Sequence, residues 1–174
     1  MILTAQEIHH QHTCGHVRID PFCPKNLNPN SYNYHLSPEI LEVTPSLLDS
    51  RKKAPHGKIH LPKTGYTLLP GRLYLGSTLE KIGSRDFVIT LQGRSSMGRL
   101  GLFLQITADL SQLGACHPWT LEMTVVHPLT IYPHMPIGQV SFWKPSGSKA
   151  HFYQGKYTHQ HGPHHSALFQ EMPS

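Results

Sequence analysis

Charged side chains are scarce in this chain: Asp, Glu, Lys and Arg make up 14% of its 174 residues. Acidic groups are the scarcer, 10 against 15 basic ones, leaving a formal net charge of +5 with His neutral. That excess suits an anionic partner, and nucleotide, nucleic acid or plain solubility all fit it. The Arg and Lys residues are not clustered with aromatics on one element, which disfavours a nucleic-acid-binding module. Cysteine is nearly absent. Cys14, Cys23 and Cys116 are an odd count without framework spacing, so a disulfide scaffold is excluded and reduced thiols are expected. Long apolar runs are missing too. No stretch approaches the roughly 20 residues of a membrane span, so no membrane partner is expected. The opening Met1-Ile-Leu-Thr4 lacks the basic and long apolar regions of a signal peptide, and a cytoplasmic location is the expectation.

Turn-forming residues are abundant. With 14 Gly and 15 Pro, the chain reads as many short elements joined by turns, and its length suits one domain, 1–174, with a real core. Histidine is unusually common at 15 residues. His9, His10, His12, Cys14 and His16 form one cluster, and His159, His161, His164 and His165 another. Imidazoles bind transition metals adventitiously, but a His-rich surface and tail is the safer reading of both.

The most informative stretch is Gln92-Gly-Arg-Ser-Ser-Met-Gly-Arg-Leu-Gly101. Its glycines permit tight turning and close approach to a ligand. Its arginines and hydroxyls suit phosphate oxygens, which a guanidinium fork meets bidentately. Strand-like runs flank it, Asp86–Gln92 before and Leu102–Thr107 after, and Trp119-Thr-Leu-Glu122 sets a lone carboxylate inside another apolar strand.

Elsewhere Thr4-Ala-Gln-Glu7 has a capping-box pattern and predicts a short helix ending before Gly15. Strands are expected at Val17–Ile19, Ser31–Leu36, Ile40–Val43, Tyr66–Leu69, Arg72–Leu79, Met123–Val126, Leu129–Tyr132 and Gly138–Trp143. The segment from Pro45 to Pro62 carries the weakest signal and reads as a loop. Residues 155–174 are polar and His-rich and read as a flexible C-terminal segment. Strands at this spacing argue an all-β barrel or sandwich.

Together these motifs resemble the dCTP deaminase family of the dUTPase-like superfamily. The resemblance runs through Asn28-Pro-Asn-Ser-Tyr32, Leu69-Pro-Gly71, Gly76-Ser-Thr-Leu-Glu80, the Gly-Arg-Ser-Ser stretch, Thr107-Ala108, Thr120-Leu-Glu122, Ile131–Gln139 and Lys156-Tyr-Thr-His-Gln160. It implies a distorted β-barrel or jelly-roll with a short N-terminal helix. It also implies a homotrimer whose active sites lie between subunits. In such enzymes a carboxylate-activated water deaminates the base without zinc. The resemblance assigns that carboxylate to Glu122, assisted by Ser95, Arg99 and the backbone carbonyl of Ala108. It assigns substrate binding to Arg94, Ser95, Ser96, Gln112 and Gln139, with Lys156, Tyr157 and Gln160 closing over the triphosphate. Mg²⁺ is expected to arrive with that triphosphate, and no protein-held metal is expected. The zinc deaminases use His-x-Glu and Pro-Cys-x-x-Cys, and the chain has no Cys-x-x-Cys.

The hairpin Ser111-Gln-Leu-Gly-Ala115 departs from the family pattern. Gln112 stands where an Asp holds the sugar 3′-hydroxyl, and Ala115 where an aromatic packs on the deoxyribose. His117 stands where a Gly is usual, and Leu110 where a basic residue is common. In the early strand Asn33 replaces an Asp and His35 an Arg. The changes at Gln112 and Ala115 point to a relaxed sugar preference, unless His117 or a neighbouring subunit's side chain takes over. Deamination of dCTP or a related cytosine nucleotide is the leading reading. A dUTPase-like pyrophosphatase is the runner-up, disfavoured by the lost Asp. A non-catalytic nucleotide-binding relative is the third.

Overall fold

Short apolar-polar alternations, each stopped by Gly or Pro, build the molecule strand by strand. The computed structural model describes residues 1–44, 47–104, 107–148 and 151–172. Helix α1 (Ala5–Thr13) buries Ile8 and ends before Gly15. Thr4 is its N-cap by position, but its side chain makes no capping hydrogen bond, and Glu7 accepts instead from Gln11 Nε2 at 2.7 Å. The expected capping box is therefore present in sequence but not in bonding. Next come β1 (Val17–Asp20), a 3₁₀ turn at Pro24–Asn26, β2 (Leu27–Asn28), β3 (Ser31–His35) and β4 (Glu39–Val43). The segment read as a loop contains a strand, β5 (His56–His60), which pairs antiparallel with β4 over its whole length. Pro45 and Ser46, in the same segment, lie outside the described residues.

Strands β6 (Tyr66–Leu68), β7 (Tyr74–Ser77), β8 (Lys81–Ser84) and β9 (Val88–Gly93) follow. The Gly-Arg-Ser-Ser turn contains one helical turn, α2 (Ser95–Gly98), anchored by buried Met97. Then β10 (Leu102–Leu104) runs out of it; Gln105 and Ile106, the rest of the expected strand before Thr107, lie outside the described residues. The last strands are β11 (Cys116–His117), β12 (Thr120–Val125), β13 (Leu129–Ile131) and β14 (Pro136–Trp143).

The described strands form four antiparallel sheets, in the orders β1-β8-β11, β10-β12-β7-β4-β5, β13-β6 and β2-β3-β14-β9. The fold is thus all-β with one short N-terminal helix, a distorted wrap of sheets that do not close into a barrel among the described residues. Between the sheets lies the main core, in which Tyr32, Tyr34, Tyr74 and Phe142 are fully buried, and a small second cluster is made by Leu41, Val43 and Leu75. Buried hydroxyls need partners, and Tyr34 donates to the Gln92 carbonyl at 3.0 Å. That ring crosses over Gly138, where a Cβ would collide with the phenol. A register shift in β14 between Pro136 and Gly138 accompanies this crossing. Glu80, 1% exposed, is held by the His35 ring Nδ1 at 2.6 Å and the His35 backbone N–H at 3.0 Å. A buried carboxylate requires such a partner, and His35, which stands where the resemblance has an Arg or similar residue, supplies it.

The termini of the fold meet. Ile2 bridges Trp143, and the Leu3 N–H donates to the Phe142 carbonyl at 2.9 Å. No described helix is long and apolar enough to cross a membrane.

Candidate active site

Strand β12 alternates cleanly. Leu121, Met123 and Val125 point into the core, while Thr120, Glu122 and Thr124 are half-buried on the opposite face. That face forms one wall of a cavity of about 670 Å³, within the usual size range of small-molecule sites. Strand β7 pairs beside it, with Leu75 opposite Glu122. The second wall is the hairpin segment carrying Ala108, Gln112, Ala115 and His117. Backbone bonds tie this segment to β9: the Leu91 N–H donates to the Asp109 carbonyl at 2.9 Å and the Ser111 N–H to the Ile89 carbonyl at 2.8 Å.

The third wall is the C-terminal segment, folded back over its own chain. Its backbone enters at Tyr153, whose N–H donates to the Leu113 carbonyl at 2.8 Å. Thr120 Oγ1 donates to Gln160 Oε1 at 3.2 Å and accepts from the His164 N–H at 3.1 Å. The Tyr157 hydroxyl accepts from the Ala167 N–H at 3.0 Å. Two wall imidazoles are pushed below the ordinary histidine pKa. For both, burial is the main cause: His117 opposes it by donating to the Pro118 carbonyl, and His165 by bonding to that of Ser166.

Of the residues the sequence nominated, the structure gathers Glu122, Ala108, Gln112, Tyr157 and Gln160 on this one cavity. It does not bring Ser95, Ser96, Arg94, Arg99, Gln139 or Lys156 there. Ser95, Ser96 and Arg99 stand exposed around α2, and Arg94 reaches the Pro136 carbonyl at 3.5 Å. Gln139 lies beside them on β14, opposite Gln92 of β9, and accepts from Ser31 Oγ at 3.2 Å. These residues form a second polar patch on the same chain. Lys156 pairs with Glu171 at 2.5 Å. Sequence reasoning gave no role to Tyr153, His164 or His165, since the only signal for the last two was a run of histidines.

Among the described residues, no group of three or more His, Cys, Asp or Glu side chains is placed to hold a metal. In the N-terminal cluster the His12 ring stacks on Phe22 at 4.1 Å between centroids.

The arrangement joins a carboxylate facing a nucleotide-sized cavity to a separate Arg-Ser patch, and known proteins share this chain's pattern. The family model described as "dCTP deaminase-like" matches residues 2–145. The chain belongs to the dCTP deaminase-like family. The "dCTP deaminase, dUMP-forming" of Hathewaya histolytica is 40% identical over 172 residues, covering 99% of both chains. The "dCTP deaminase" of Rhodopirellula baltica is also 40% identical, over 99% of this chain and 86% of its own. Among solved structures, the 2′-deoxycytidine 5′-triphosphate deaminase from Agrobacterium tumefaciens aligns with TM-score 0.65 at 18% identity. The match covers 81% of this chain and 47% of that one, a likeness of fold.

Proposed function

We propose that this family member is an enzyme that hydrolytically deaminates dCTP or a close cytosine nucleotide to the uracil nucleotide, with Glu122 as proton shuttle. The observation that carries the reading is the half-buried Glu122 on the cavity wall, in a chain 40% identical throughout to relatives bearing that activity in their names. Water adds to C4 of the base and gives a proton to Glu122. The carboxylate passes protons to N3 and to the amine, and ammonia leaves, so cytosine plus water becomes uracil plus ammonia. One carboxylate suffices for both transfers when it lies within reach of the water and of N3. The Ala108 carbonyl orients the water. Gln112, Tyr157 and Gln160 contact the nucleotide from the other walls.

The second patch completes the site from a neighbouring subunit. Ser95 and Arg99 assist the reacting base, Arg94, Ser95 and Ser96 bind phosphate, and Gln139 binds the nucleotide. The separation of this patch from Glu122 within one chain supports a homotrimer with shared sites. Mg²⁺ enters bound to the triphosphate as part of the substrate. Lys156 reaches the phosphates by exchanging Glu171 for them, and the flexibility read for residues 155–174 serves that closure. A freely diffusing nucleotide suits a cytoplasmic enzyme.

A second reading adds diphosphate release, giving the monophosphate. It is favoured by the words "dUMP-forming" in the relatives' names and opposed by Gln112 standing where the resemblance places an Asp. The deciding experiment incubates the protein with dCTP and Mg²⁺ and follows ammonia and diphosphate separately. Ammonia alone is the expected outcome. Both products would establish the second reading, and neither would leave only a nucleotide-binding relative.

A further inference from the structure

The C-terminal segment rests on the rest of the chain partly through imidazoles, to which the deaminase reading gives no task. His164 and His165 lie on the segment and line the cavity. His56 belongs to β5, the edge strand of its sheet. The His165 ring lies 4.9 Å from that of His56 and 4.6 Å from that of His164, centroid to centroid, with the Phe169 ring at 6.3 Å. The His164 ring stands edge-on to Tyr157 at 5.7 Å. All three imidazoles bond through Nδ1 to a backbone carbonyl oxygen: His56 to Ala54 at 2.9 Å, His164 to His165 at 2.6 Å and His165 to Ser166 at 2.9 Å. A carbonyl only accepts, so each neutral ring carries its hydrogen on Nδ1 and takes a second proton at Nε2.

Second protons on neighbouring rings place like charges at these separations, and like charges repel. Lys53, exposed just before β5, adds a permanent positive charge. Burial is the main cause that holds the His165 pKa below its ordinary value; the bond to the Ser166 carbonyl opposes it, and His164, Lys53 and His56 add to it. Across the ladder His56 faces Val43 of β4, which carries no charge. The other charges about the segment balance or stay constant: Lys156 pairs with Glu171, and Arg85 lies over the Phe152 ring at 4.7 Å. We infer that His56, His164 and His165 form a pH-sensitive latch, which holds the C-terminal segment over the cavity while the rings are neutral and releases it when they are protonated. Tyr157 and Gln160 lie on this segment, so the latch decides whether they wall the cavity at a given pH. The released segment takes protons that the docked one resists. Docking is therefore strongest above about pH 6.5 and weakens below it, by up to about tenfold per pH unit for each such proton. The inference goes beyond the proposed activity and holds whichever nucleotide the cavity takes.

The test reads the backbone and not turnover, because a proton shuttle changes with pH on its own account. Amide hydrogen exchange is followed by NMR on the full chain at pH 7.5 and 5.5, with rates corrected for the intrinsic pH dependence of exchange. The His164 and Ala167 amides are bonded to Thr120 Oγ1 and to the Tyr157 hydroxyl. In the wild type both should lose about tenfold or more of their protection on acidification. The Leu91 and Ser111 amides, which tie the cavity wall to β9, should keep theirs, and this separates release of the segment from unfolding. In the double variant His56→Gln, His165→Gln the rings cannot charge, and the loss at Ala167 should shrink to about threefold or less. His56→Lys sets a permanent charge against His165, so Ala167 should already be poorly protected at pH 7.5. Wild-type protection at Ala167 that is the same at both pH values would overturn the inference. So would a full loss that persists in the double variant, or a His56→Lys chain as well protected at pH 7.5 as the wild type. A loss shared equally by Leu91 and Ser111 would also overturn it, since the whole fold and not the latch would then be opening.

Discussion

Glu122 and His117 share a cavity and differ in what the protein asks of them. In the proposed reaction Glu122 is the group that moves protons, taking one from water and passing it on in each turnover. Glu122→Gln preserves shape and hydrogen bonding but cannot accept the proton of water. Turnover is expected to fall on the order of 10²–10⁴-fold, the usual contribution of a positioned acid-base group, while nucleotide binding by calorimetry stays near that of the wild type. A variant that keeps its turnover would remove Glu122 from the proton path. His117 is instead buried, and this leaves a mark on stability. Its folded pKa lies below the ordinary value of 6.5 because burial disfavours the charged ring. Below about pH 6.5 the unfolded chain therefore binds a proton that the folded chain does not, and stability falls as pH drops through that window. His117→Asn lacks this contribution. Its Tm should decline less than the wild type's between pH 7.5 and 5, and parallel declines would show that the ring does not titrate as buried.

At the scale of elements, β11 and the hairpin before it hold both His117 and Gln112, and Gly83 of β8 is what lets them sit there. A Cβ on Gly83 would come within 2.5 Å of the Ala115 carbonyl oxygen and of Cys116 Cα. These are backbone atoms that cannot turn aside, so the strands would have to part. Gly83→Ala should cost about 1–3 kcal/mol, a fall of roughly 3–10 °C in Tm by scanning calorimetry for a chain of this size. An unchanged Tm would mean that the two strands do not approach this closely. The same elements show what a one-dimensional reading can see. Strand β12 was legible because Leu121, Met123 and Val125 alternate with Thr120, Glu122 and Thr124, and its one carboxylate marked the site. Strand β5 was not, since His56-Gly-Lys-Ile-His60 lacks alternation and becomes a strand only by pairing with β4. The helical turn α2 was hidden among glycines that read as a loop. In the site, Ala108, Gln112, Tyr157 and Gln160 were reached through motif resemblance. Tyr153, His164 and His165 were not, because their place depends on a chain reversal stabilised by contacts to Leu113 and Thr120, far away in sequence.

Across the whole molecule, the two halves of the proposed site do not share a cavity within one chain, and the sharing of sites between subunits is testable by mixing. Glu122→Gln and Arg99→Ala chains should each be inactive alone. If every site takes Glu122 from one subunit and Arg99 from another, an equal mixture unfolded and refolded together should regain about a quarter of the wild-type activity, from random assembly of a closed ring. A mixture that stays inactive would place both residues' work within a single chain. One further consequence follows from the meeting of Leu3 with Phe142 and of β3 with β14. A ribosome delivers Ile2 long before Trp143, and at about 5–20 residues per second the start of the chain waits roughly 7–28 s for its neighbour. In the last third of that interval β3 and β9 have both emerged without the strand that will lie between them. Nascent chains of this protein thus carry two open strand edges until the last long strand leaves the exit tunnel, and a message cut short before the codon for Pro136 leaves both exposed for good.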